Sequence, residues 1–135
     1  MSKSRRSKTR ISILQFLYQW QTKEITIEEV YKQVNLQKIS DLTYFRLILF
    51  GVAKHYEKLD QVISKFIDRD FNSLQIIELN ILRLAVFEFL YVTETPPKVV
   101  INEAVELTKL FGSLDTSFKY INGVLDKIYN EYKKL

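Results

Sequence analysis

The chain has 135 residues, 47% hydrophobic and 27% charged, the length of about one domain with enough apolar material for one sizeable core. That excludes separate catalytic and binding modules as well as disorder throughout. With no cysteine there is no disulfide framework, thiolate metal site or cysteine nucleophile, and a reducing, cytoplasmic compartment is the expectation.

Residues 1–10 hold Lys3, Arg5, Arg6, Lys8 and Arg10 and no acid, whereas the other 125 residues hold 15 basic and 16 acidic groups. The net charge of +4 is therefore a property of the first ten residues, and such an end points to a polyanion, either nucleic acid or an anionic membrane surface. A secretory signal fits poorly, since Gln15, Gln19 and Gln21 interrupt the apolar part and no small-residue cleavage site follows. A transit peptide fits the charge better but not the core-type aromatics that follow. Ile13, Phe16, Leu17 and Trp20 have helical spacing. Their stripe has no apolar member before Arg10, so the basic segment is expected to project as a mobile arm or a solvated first turn.

Thr26 with Glu29 reads as a capping box for a short helix to about Val34. Asp41 caps the next, carrying Tyr44, Phe45, Ile48 and Val52, and a further stripe follows at Leu59, Val62, Ile63, Phe66 and Ile67. Asn72 or Ser73 starts a helix from about Leu74 to Tyr91 whose polar residues are scattered around the axis, so it is expected to be central. Its apolar run from 81 to 92 is broken by Arg83 and Glu88 and falls short of the ~20 residues of a membrane span. Thr95-Pro96 stops and restarts the chain, Gly112 is the expected left-handed cap of the following helix, and Ser113, Asp115 or Thr116 begins the last. There Ile121, Val124, Leu125 and Ile128 override the turn signal of Asn122-Gly123. A glycine inside a helix costs up to ~1 kcal/mol, so Gly123 is read as a place where another backbone or a ligand comes close. With three glycines and two prolines, the expectation is an all-α fold: about seven helices in one compact bundle, with a basic arm at 1–10 and helical subdomains at 11–70 and 71–135.

Few residues suggest chemistry. His55, the single histidine, has no carboxylate pair at the spacing a metal site needs. Glu103 and Glu106 share a helix face, where a solvated or capping role is the simpler reading. No phosphate loop, nucleophile elbow or zinc-protease helix is present; neither catalysis, a cofactor nor a metal is expected. The better signals are the basic arm and Tyr120. If the arm is helical, Lys3, Arg6 and Arg10 share a face suited to a phosphate backbone. Tyr120 shares a face with Gly123 and Lys127, where a ring can stack on an unpaired base beside a cation; a partly exposed packing tyrosine has the same spacing.

The segment from Pro97-Lys98-Val99-Val100-Ile101-Asn102-Glu103-Ala104-Val105-Glu106-Leu107 through Lys109 and Phe111-Gly112, followed by Lys119-Tyr120-Ile121-Asn122-Gly123-Val124-Leu125-Asp126-Lys127, resembles the NusB family of transcription antitermination factors. Arg5-Arg6, Leu17-Tyr18-Gln19-Trp20, Phe45 to Val52, and Glu78 with Ile81-Leu82-Arg83 extend the resemblance over nearly the whole chain. It implies a non-catalytic, all-helical, two-subdomain protein. It also implies binding of boxA-type single-stranded RNA in ribosomal RNA leader transcripts, together with NusE, a protein of the small ribosomal subunit, in the RNA polymerase antitermination complex. The implied RNA side comprises Lys3, Arg5, Arg6, Lys8, Arg10, Lys119, Tyr120 and Lys127, and the implied NusE side Tyr18, Glu78, Arg83, Phe111 and Tyr120. Ser7, Pro97 and the stretch from Leu114 to Phe118 depart from the family pattern. A helical protein-interaction module and a relative of the RNA-binding domain of a ribosomal RNA methyltransferase are the alternatives.

Overall fold

In the computed structural model, which describes residues 4–112 and 118–132, the chain forms six α-helices and two 3-10 turns with no strand among the described residues. The helices are α1 (Arg5–Lys23), α2 (Ile27–Lys32), α3 (Leu42–Ser64), α4 (Ile76–Tyr91), α5 (Pro97–Phe111) and α6 (Phe118–Tyr132), with 3-10 turns at Leu36–Lys38 and Phe71–Ser73. Local chemistry sets many of their ends. Ser4, Thr26 and Asp41 each accept a hydrogen bond from the backbone N–H three residues on. Glu24 closes α1 in the left-handed region at φ 54°, and Pro97 occupies the first position of α5.

Three expectations change. The stripes from Tyr44 to Val52 and from Leu59 to Ile63 belong to one helix, with Phe66 and Ile67 just past its end, because Val52 and Leu59 stand seven residues apart, two turns on one face, and nothing between them breaks the backbone; this merger takes the count from seven to six. The helix α4 starts later than Leu74: the backbone N–H of Gln75 donates to the Glu78 carboxylate at 3.0 Å, so Asn72 and Ser73 belong to the preceding turn. Gly112 ends α5 extended, at φ −71° and ψ 155°, rather than left-handed. Ser113, Asp115 and Thr116, offered as starts of the last helix, lie outside the described residues.

Every residue of α4 from Glu78 to Glu88 is buried, since α1, α3, α5 and α6 all pack on it. A single hydrophobic cluster runs through all of these elements. Gly51 shows how near α3 and α4 come: a Cβ there would lie 2.2 Å from Cζ of Phe87, much closer than two carbons can approach. His55 is held in the same seam, stacked on Tyr91 at 4.7 Å between ring centroids.

Candidate nucleic-acid and partner surfaces

The basic segment is not a projecting arm from Arg5 onward. It forms the first turns of α1, and Arg10 is only 2% exposed. Arg10 donates from Nε and Nη2 to the two oxygens of Glu88 at 2.8 and 3.0 Å, and Nη1 lies 3.5 Å from Glu103. The Tyr44 hydroxyl also donates to Glu88, and Ser7 donates to Glu103. Burial alone would lower the pKa of Arg10, but the hydrogen bond and charge of Glu88 outweigh it and raise the pKa. Burial, reinforced by the Glu88 charge, raises the Tyr44 pKa strongly, so the phenol keeps its proton and serves as donor. The absence of apolar side chains in this segment left it without a hydrophobic anchor; a buried ionic one takes its place.

Around that anchor the other cations differ in freedom. Arg6 lies over the Tyr44 ring at 4.7 Å and reaches Glu94 at 3.0 Å and Thr95 at 3.3 Å. Arg5 donates to the Ser40 carbonyl at 2.9 Å. Lys8 is exposed, and Lys3 lies outside the described residues. Of the five basic residues, Arg10 is thus withdrawn from any phosphate-binding face by its two carboxylate partners.

A second surface forms where α6 meets the segment after α3. Phe66, Asp68, Lys119, Tyr120, Gly123 and Lys127 line a concavity of ≈ 210 Å³ with Val124. Lys119 and Lys127 are exposed and Tyr120 is half-buried. Gly123 keeps the hollow open rather than admitting a neighbouring backbone, since a Cβ there would meet nothing within 4 Å. Burial raises the pKa of Tyr120, the nearby Arg69 lowers it, and Asp68 and Glu78 add to the rise. The Arg69 guanidinium lies 3.9 Å from the centroid of the Tyr120 ring, a contact that periodicity within one helix could not reveal.

A third surface lies where α1 meets the start of α4 and the end of α5. Leu14, Gln15, Tyr18, Gln19, Ile77 and Phe111 line an apolar hollow of ≈ 350 Å³. Tyr18 and Phe111 are therefore brought together, with Tyr18 43% exposed. Glu78 and Arg83 are not on that surface. Glu78 is buried and caps α4. Arg83 is buried and chelates Asp60 through two bonds of 2.7 Å, with Gln21 at 2.9 Å. Both are framing residues, because a charge inside the bundle requires a partner there. Among the described residues no group of histidine, aspartate and glutamate could hold a metal ion, and none of the helices is long and apolar enough to cross a membrane.

Comparison with known proteins agrees with this architecture. Residues 7–130 match the model of the NusB family. A transcription antitermination protein NusB from Aeromonas salmonicida is 40% identical over 99% of both chains, and one from Haemophilus ducreyi is 44% identical over 95% of both. A solved NusB from T. maritima superimposes with a TM-score of 0.83 at 27% identity, covering 97% of this chain and 94% of that one. A chain from the crystal structure of antitermination factors NusB and NusE in complex with double-stranded RNA gives the same TM-score and identity, over 95% of this chain and 98% of its own.

Proposed function

The chain belongs to the NusB family, and on that premise we propose that it is an RNA-binding transcription antitermination factor, which acts with NusE on boxA-type RNA in the RNA polymerase antitermination complex and catalyses no reaction. The observation that carries the RNA half is the α6 concavity, where the Tyr120 ring and two exposed lysines line one hollow that Gly123, with no side chain, leaves open. Aromatic planes beside cations suit single-stranded RNA, whose bases are free to stack while its phosphates meet the charge. Lys119, Tyr120 and Lys127 form this part of the RNA surface, with Lys3, Arg5, Arg6 and Lys8 as further phosphate contacts. Arg10 acts indirectly by holding α1 in place. The apolar hollow at Tyr18 and Phe111 is the surface for NusE, and the buried Glu78 and Arg83 support it from within. A gel shift with boxA-type RNA, with and without NusE, tests the reading. A shift that strengthens with NusE is expected; no binding in either case would overturn it.

A further inference from the structure

The geometry points to Arg69, not the Tyr120 ring, as the plane on which an unpaired RNA base stacks in the α6 concavity, with Tyr120 as its support. This rests on the RNA-binding reading above and refines it. Arg69 belongs to the short segment between α3 and the 3-10 turn at Phe71–Ser73, so it reaches α6 from a different element. Its guanidinium covers the Tyr120 ring at 3.9 Å from the centroid. A base cannot occupy the same face of that ring while the guanidinium is there. Arg69 itself is exposed, and among the described residues no hydrogen bond or ion pair holds its donors. Its planar head therefore has an inner face on an aromatic support and an outer side open to solvent.

A guanidinium on an aromatic ring is well suited to this task. It is weakly hydrated, flat and always charged, so it stacks on a base with little desolvation cost while its edge donates to phosphate. Tyr120 contributes by fixing the plane: cation–π attraction holds the guanidinium over the ring, and half-burial against the hydrophobic core holds the ring. Lysine at position 69 would keep the charge but lose the plane. That difference separates stacking from simple attraction to phosphate.

The test uses the full chain with boxA-type RNA in which each base in turn is replaced by an abasic site. In the unaltered protein, removal of one base is expected to weaken binding about tenfold, within the range for a stacked base. Arg69→Lys should lower affinity for the intact RNA by a similar factor and abolish the penalty at that same position, with other abasic penalties and the melting temperature unchanged. Tyr120→Ala should behave as Arg69→Lys does, and Tyr120→Phe as the unaltered protein. If Arg69→Lys leaves the abasic profile intact while Tyr120→Ala flattens it, the ring itself is the stacking plane and the proposal is overturned. It is equally overturned if Arg69→Lys weakens binding of NusE alone and leaves the RNA profile unchanged. Absence of RNA binding by the unaltered protein would instead defeat the functional reading on which the proposal depends.

Discussion

At the scale of single residues, the five ionic and polar groups that join α1 to the bundle, Ser7, Arg10, Tyr44, Glu88 and Glu103, have the largest consequences. Removing one member of a buried, hydrogen-bonded ion pair leaves the other charge stranded, at a cost of ~3–5 kcal/mol. Arg10→Met is therefore expected to lose about that much stability by urea denaturation, whereas Lys8→Met, at an exposed site, should stay within ~0.5 kcal/mol. Equal midpoints for the two variants would contradict the anchor. Tyr44 adds a pH dependence. Its pKa is raised on folding, so its contribution is fully present below the unfolded value near ~10 and is lost as pH rises toward the folded value. Stability should decline in the alkaline range, and more gently in Tyr44→Phe; identical alkaline profiles would count against the Glu88 contact. None of this was legible from residues 1–10, whose partners lie 78 and 96 positions away for Arg10 and Ser7. The usable signal was at the other end, since Glu88 inside an apolar run demands a buried cation or donor.

At the scale of helices, the two glycines in α3 and α6 should respond to alanine with opposite signs. Alanine gains up to ~1 kcal/mol over glycine from helix propensity. At position 51 that gain meets the Phe87 ring at 2.2 Å, and Phe87 is too well buried to move aside, so Gly51→Ala should destabilise by about 1–3 kcal/mol on balance. Gly123→Ala meets nothing and should raise the melting temperature. Thermal melts that moved in the same direction would show that one glycine has been misplaced. Element type was readable along the chain because stripes and caps are local: Thr26 and Asp41 each bond within three residues. Gly123 was harder to read, because a glycine that keeps a surface hollow open leaves the same trace in a sequence as one against a backbone. Arg69 left no trace, as no pattern within α6 reports on a segment arriving from α3.

Taken whole, the molecule presents its cations unevenly, and that should be visible in its response to salt. Each single-strand phosphate contact contributes ~0.7 to the log–log slope. Replacing Arg5, Arg6 and Lys8 together by alanine should reduce the slope by at most ~2.1; a larger fall would mean that phosphate contacts outside this segment, such as those of Lys119 and Lys127, had been lost with them. The buried carboxylates also impose an order on the making of the protein. Emerging before α4 and α5, α1 cannot be secured until Glu88 and Glu103, far along the message, have been translated. Until then its arginine has no internal counter-ion, and a nascent chain holds one more open cation than the finished protein. Newly made fragments that stop before α4 are thus expected to cling to RNA with a salt slope steeper by ~0.7 than the same segment shows in the completed chain, which salt titration of such a fragment would measure. Completion of α4 and α5 then withdraws that cation, so the protein's indiscriminate attraction for RNA declines as its fold closes.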